Sequence, residues 1–193
     1  INFSIRYKTN NLLKFLSSFL TVGYAVPGLI LAIGVMRLLT FLDRNFTIEM
    51  FNLVLTGSLI GLMMAYIIKS YALSSSTFDA GFERISPRID DVARSLKTSG
   101  WNLLSKVHVP LLKTSFLTSM LLVVAEVIKE LPATLILRPF NFDTLAVSTY
   151  IYAAEERMYD AAAPSISIVL VGLIPIIILT RLIRTSRPAN RDN

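Results

Sequence analysis

Three stretches of this chain, residues 15–36, 50–68 and 161–180, contain no Asp, Glu, Lys or Arg. Each is 19 to 22 residues long, and an α-helix needs about 20 apolar residues to cross a hydrocarbon core ~30 Å thick. Such runs constrain the fold more than any other feature. In lipid the backbone must satisfy its own hydrogen bonds, and only helices or closed barrels do so. A fourth run, residues 114–137, is long enough but carries Glu126, Lys129 and Glu130 towards its far end. The expectation is an all-α, polytopic transmembrane helical bundle of about four spans, forming a single domain over residues 1–193. Buried helices of a large soluble core are the alternative, and three charge-free runs argue against it. Only 17% of the residues are charged and 53% are hydrophobic, against about 25% charged in a soluble domain.

The net charge of +6 reads differently in a membrane protein than in a soluble one. Basic residues concentrate in cytoplasmic segments. Arg6, Lys8 and Lys14 precede the first run, and Lys69, Arg84, Arg88, Arg94, Lys97, Lys106 and Lys113 follow the second. Arg181, Arg184, Arg187 and Arg191 end the chain, so these three regions hold 14 of the 19 basic residues. The loops 37–49 and 138–160 hold four. Both termini and the long central loop are therefore expected in the cytoplasm, and the basic excess orients the protein rather than binding nucleic acid. Lys69 marks the cytoplasmic end of the second span in this reading.

The chain has no cysteine and one histidine, His108. That excludes disulfides, thiolate zinc sites, iron–sulfur clusters and multi-histidine metal sites. No metal ligand set is assigned, and His108 reads as an interfacial residue beside Pro110. The first eleven residues show no cleavable signal, and Ile1 in place of Met gives the expectation of a fragment or a processed product. Pro27, Gly28 and Pro175 inside the spans predict kinks. Gly57, Ser58 and Gly61 read as a small-residue patch for close helix packing.

The central loop, 71–113, has a pattern of its own. Ser86-Pro87 predicts a helix start, with Asp90 and Asp91 complementing the positive end of the helix dipole. Val92, Ala93 and Leu96 follow, then a turn near residues 99–100, and Leu103, Leu104 and Val107 recur at helical spacing before Pro110. The run from Asp91-Val92-Ala93 through Lys97, then nine residues, then Val107-His108-Val109-Pro110, resembles the EAA loop of ABC importer permeases. That loop has the form E-A-A, three residues, G, nine residues, I-x-L-P. The spacing matches throughout and Ala93 and Pro110 are kept, while Asp91, Val92 and Lys97 depart from Glu, Ala and Gly. Gly100, three residues after Lys97, is expected to supply the turn instead.

The resemblance implies that residues 86–110 form a coupling helix that docks on a dimeric cytoplasmic ABC ATPase. Asp91, Ala93, Arg94, Leu96, Lys97, Gly100 and Pro110 are the residues it brings to that role. No G-x-x-x-x-G-K-[ST] phosphate loop is present, so ATP is expected to be used by the partner subunit. Residues 129–135, Lys-Glu-Leu-Pro-Ala-Thr-Leu, with 137–140 and 142–146, resemble iron(III) importer permeases. That likeness implies an extracellular or periplasmic iron-binding protein, a second permease half or copy, and a place for this chain as the C-terminal part of a longer, two-half protein in the inner membrane. It implies a transport subunit, not an enzyme, with no cofactor of its own. Thiamine and molybdate permeases share the loop, and an ATP-independent channel or carrier is the further alternative. An intramembrane serine protease built on Ser58 fails, because its only histidine lies in the cytoplasmic loop and a serine nucleophile needs a positioned base.

Glu126, Lys129 and Glu130 stand at i, i+3 and i+4, which puts them on one face of a continuous helix. They lie 16 or more residues past Pro110, or ~24 Å along a helix. Two carboxylates and one ammonium there form a candidate translocation path for a cation or ferric complex, the alternative being an internal ion pair that locks helix packing. Tyr150, Tyr152, Glu155, Glu156, Arg157, Tyr159 and Asp160 read as a short interfacial helix, either an aromatic belt or a receiving surface for the binding protein.

Overall fold

The computed structural model describes residues 3–4, 11–45, 54–98 and 100–186, and among these the ordered elements are all helices. In chain order they are α1 (Asn11–Ala25), α2 (Gly28–Asn45), α3 (Leu59–Glu83), α4 (Pro87–Ser95), α5 (Gly100–Leu111), α6 (Lys113–Ile128), α7 (Pro132–Leu137), α8 (Leu145–Ala154) and α9 (Met158–Ser186). Two of them, Leu59–Glu83 and Met158–Leu182, are long and apolar enough to cross a membrane alone. Two bent pairs, α1 with α2 and α5 with α6, reach that length only together.

The first span is broken rather than kinked. Pro27 has no N–H to donate into α1, and its carbonyl instead accepts from Leu31 N at 3.0 Å to start α2. The chain turns by 118° between the two helices, far beyond the bend a single proline imposes on a continuous helix.

The second span is displaced from its expected limits of 50–68. Residues 46–53 lie outside the described residues, and 54–58 form a turn rather than a helix. The Asp43 carboxylate at the end of α2 accepts from Leu55 N and Thr56 N, both at 2.9 Å, and from the Thr56 hydroxyl at 2.6 Å. Gly57 then takes a φ of +77°, which an L side chain resists, and Ser58 caps α3 by accepting from Ile60 N. The small-residue patch thus divides. Gly57 makes a turn and Ser58 a cap, and only Gly61 serves packing. With its start set at Leu59, α3 runs through Lys69 to Glu83. The first thirteen residues assigned to the cytoplasmic loop therefore belong to this helix.

The fourth run also breaks. α6 ends at Ile128, Lys129 to Leu131 turn, and Pro132 opens α7. Only the 161–180 run lies whole within one unbroken helix, α9, which extends past it at both ends and holds Pro164 and Pro175. Ala32, Val35 and Leu39 of α2, Leu62 and Ala65 of α3, and Ala133 and Leu137 of α7 form the core. Lipid is as apolar as leucine, so helices in a bilayer associate through close contact. A Cβ on Gly61 would stand 2.7 Å from Leu39 Cδ1, one on Gly23 2.7 Å from Ile68 Cγ2, and one on Gly81 would meet Ser115 Oγ. α3 is crossed at all three places, by α2, α1 and α6.

Candidate functional site

Two sites are positioned by one rod, α3, the first by its middle and the second by its C-terminal end. The first lies along the middle of α3. Lys69 is ten residues into that helix, about 15 Å from its start, or half the thickness of a hydrocarbon core. Its ammonium donates to Glu130 Oε2, and both side chains are largely removed from solvent. Glu130 Oε1 accepts from Ala133 N at 3.3 Å, and the Glu130 carbonyl accepts from the Thr134 hydroxyl at 2.8 Å. Thr134, wholly buried, shares a 2.6 Å hydrogen bond with the Tyr66 hydroxyl one turn before Lys69. Gly28 admits the pair. A Cβ there would stand 2.7 Å from Glu130 Oε1 and 3.5 Å from Lys69 Nζ. The α1–α2 break, the α6–α7 break and the centre of α3 thus converge on one buried ion pair.

The expected Glu126–Lys129–Glu130 face does not form. Lys129 is the C-cap of α6, with φ −95° and ψ 0°, so Glu130 lies beyond the helix and turns inward while Glu126 stays on it. Lys129 pairs with Glu126 at 2.9 Å on a more open surface. Glu126 still joins Glu130, Lys69, Ser70, Tyr66 and Tyr24 around a small cavity. Sequence reasoning missed Lys69, Tyr66, Thr134 and the part played by Gly28. A signal for Lys69 was present, because residues 70–78 carry no charge and the next ionisable group other than Tyr71 is Asp79. One cation inside a long low-charge helix reads as a flank only if the helix is assumed to stop there.

The second site is the central loop. Pro87 stands at the first turn of α4 as expected, after Ser86. Ala93 is buried, while Asp91, Arg94 and Leu96 are exposed. Ile89, Val92 and Leu96 with Arg88 and Val107 line a shallow groove on that surface. The turn after α4 corrects the assignment to Gly100. Thr98 N donates to Ala93 O and Lys97 N to Arg94 O, both at 2.9 Å, and Lys97 has φ +58°. This is the Schellman pattern, in which the residue after the cap takes the left-handed conformation. Lys97 itself fills the position of the family glycine. Gly100, with φ +56°, makes a second, separate left-handed turn into α5.

α5 contains a π-turn over Leu104–His108, closed by Val109 N donating to Leu104 O. The wider turn precedes Pro110, whose ring would collide with the preceding turn of a regular α-helix. The chain then bends by 71° into α6. Leu112 N donates to His108 O and Phe116 N to Leu112 O, each at 2.8 Å, so the backbone ladder continues through the bend. His108 is not interfacial. It is 0% exposed, because the π-turn directs it inward against Asp90, Phe82 and Phe3.

At the opposite end, α8 is the expected short helix, followed by a charged turn. Arg157 donates to Asp160 at 2.8 Å, approaches Glu155 at 3.4 Å and lies 4.8 Å from the Tyr152 ring centre. The Asp160 hydrogen bond holds the Arg157 pKa above its ordinary value. Arg138 pairs with Asp143, and Phe140 and Tyr159 are almost fully exposed.

A family described as binding-protein-dependent transport system inner membrane component matches residues 6–191. A putative 2-aminoethylphosphonate transport system permease protein of Salmonella typhimurium is 28% identical over 169 residues, which is 88% of this chain and 60% of that protein. An Fe(3+)-transport system permease protein of Haemophilus influenzae is 24% identical over 159 residues, 82% of this chain and 29% of that protein. The chain thus spans about 60% of the length of the first relative and under a third of the second.

Proposed function

The chain belongs to the binding-protein-dependent transport system inner membrane components, the permeases of ABC importers, and from that premise we propose that it forms part of a membrane passage driven through α4 by a cytoplasmic ATPase. The observation that supports this reading is the build of α4. It packs extensively against no other described helix, exposes Ile89, Val92 and Leu96 beside Asp91 and Arg94, and leads through a hydrogen-bonded bend into α6. In this reading both termini are cytoplasmic, a binding protein delivers cargo near Phe140 and Tyr159, and a second permease half or copy completes the passage. ATP hydrolysis belongs to the partner. The test is co-purification of the full-length permease with its ATPase, comparing the native loop with Asp91→Lys and Leu96→Asp. Loss of the ATPase from both variants, with the permease still in the membrane, is the expected result. Failure of the native loop to hold any ATPase overturns the reading.

Cargo passes, in this proposal, beside Lys69, Glu130 and Glu126, with the ion pair closing the path when no cargo is present. Iron(III) is the cargo that the 129–146 resemblance and the Haemophilus relative favour. The Salmonella relative favours 2-aminoethylphosphonate. Lys69 bears on the choice, because an ammonium in the path repels a bare ferric ion and attracts a cargo bearing an anionic group. An organophosphonate has one, and so has a ferric carboxylate complex. Uptake of labelled 2-aminoethylphosphonate and labelled ferric citrate by the full-length transporter separates them. Saturable uptake of one and not the other identifies the cargo class, and its loss in Lys69→Met with Glu130→Gln, which strands no charge, ties that cargo to the pair.

A further inference from the structure

His108 and Asp90 form a contact that neither the docking surface nor the cargo path uses. His108 Nε2 lies 2.9 Å from Asp90 Oδ1, with the imidazole fully enclosed and the carboxylate nearly so. The ring stands edge-on to Phe3 at 5.2 Å and is tilted against Phe82 at 5.5 Å between centroids. Neither ring nitrogen makes a hydrogen bond among the described residues, so the approach to Asp90 is close in distance but lacks hydrogen-bond geometry. A buried polar atom left in that state is uncommon and calls for a reason beyond packing. The residue also sits at the end of a π-turn, a feature found disproportionately at functional positions.

The connections of this contact give the reason. Asp90 lies in the first turn of α4, which has no extensive packing of its own. His108 belongs to α5, whose bonded bend starts from the His108 carbonyl. Phe82 ends α3, and α3 runs back without a break to Lys69, thirteen residues or ~20 Å away. His108 of α5 therefore touches both α3, through Phe82, and α4, through Asp90. We propose that His108 and Asp90 are positioning residues that clasp α4 to the spans, so that a displacement of α4 by the ATPase reaches α6 through the bend and Lys69 through α3. The clasp converts docking into movement and takes no part in docking itself, since Asp90 and His108 face inward while Asp91 and Leu96 face out. This inference rests on the reading of α4 as the ATPase contact.

The experiment uses the full-length permease with its ATPase and binding protein in proteoliposomes, and measures cargo imported per ATP hydrolysed alongside ATPase co-purification. Asp90→Asn and His108→Gln keep the size of each side chain and remove the charge or the imidazole. The expected result is unchanged ATPase retention with at least a tenfold fall in cargo imported per ATP. The exchange of the pair, Asp90→His with His108→Asp, restores coupling to within threefold of native. A purely structural role would lower membrane assembly and ATPase retention together, and that outcome overturns the proposal. So does native coupling in Asp90→Asn, the variant at the less buried position and the one that folds most readily. Absence of ATPase from the native permease defeats the docking reading first, and is distinguishable from both because it needs no variant.

Discussion

α3 and α9 are the two helices able to cross a bilayer unaided, and they are built on opposite plans. The apolar windows differ in mean hydropathy, 1.2 for α3 and 2.5 for α9. α3 carries Lys69, Ser70 and a run of serines from Ser74 to Ser76, and is packed by α1, α2, α6 and α7. α9 is packed by α8 and α6 and leaves Ile166, Val169, Leu170, Ile174 and Ile177 open. A polar helix in lipid is stable only where neighbours satisfy its groups. An apolar one needs no neighbour. The lesson is that hydropathy ranks these helices in the reverse order of how closely the rest of the bundle packs them. The less convincing span is the central rod, and the most convincing one is its outer wall.

The comparison breaks most severely at Lys69. Lys69→Ala leaves Glu130 buried and unpaired, and removing one partner of a buried pair costs about 3–5 kcal/mol. We expect the variant to assemble poorly and to unfold at markedly lower temperature in detergent. Replacing both groups, Lys69→Met with Glu130→Gln, removes the stranded charge and keeps an acceptor for Ala133 N. Stability then returns to the native level or exceeds it by up to about 4 kcal/mol. Uptake stays absent if the pair belongs to the path. Recovery of uptake in the double variant would reduce Lys69 and Glu130 to a packing device.

A smaller effect separates the crossed helix from the open one. Gly81→Leu drives a side chain into Ser115 and Leu112, where even a Cβ has no room. Overpacking of this kind costs about 1–3 kcal/mol. Gly172→Leu in α9 meets nothing within 4 Å and gains helix propensity, so the isolated chain should gain a few tenths to about 1 kcal/mol. Thermal unfolding of the two variants measures the contrast. Gly172→Leu also sharpens it in the assembled transporter. If that variant is stable alone yet fails to assemble, the open face of α9 is covered by a partner permease rather than by lipid.

Much of this was legible in the sequence, and the failures share a cause. The all-helical bundle, the Ser86-Pro87 start of α4, the short helix in the outer loop and the unbroken course of α9 through 161–180 follow from local signals: charge-free length, a proline at the first helical turn, helical spacing. The limits of α3 do not. They depend on Asp43 binding Leu55 and Thr56 across twelve and thirteen residues of chain, a contact no local pattern announces. Once α3 starts at Leu59, Lys69 moves from flank to centre and finds Glu130, sixty-one residues away. Glu126, Lys129 and Glu130 misled for a related reason. Helical spacing holds only while the helix continues, and Leu131-Pro132 ends it. His108 misled because one π-turn rotates everything before Pro110, and a π-turn has no sequence pattern of its own.

The smallest expected effect lies outside both helices and calibrates them. Lys97 holds a left-handed conformation in the Schellman turn after α4, and an L side chain there costs roughly 1–2 kcal/mol relative to glycine. Glycine gives part of that back through the greater freedom of its unfolded chain. Lys97→Gly should therefore stabilise the turn by no more than about 1 kcal/mol and leave the Lys69–Glu130 pair untouched. Lys97 is also exposed and basic, beside the surface proposed to meet the ATPase. If the lysine is kept for that partner, Lys97→Gly raises stability and weakens ATPase retention in the same preparation. If both rise together, the strain at Lys97 serves no contact, and the turn needs nothing but its geometry. Either result leaves α3 and α9 as they were, and so shows how much of any larger change at Lys69 or Gly81 comes from the spans themselves.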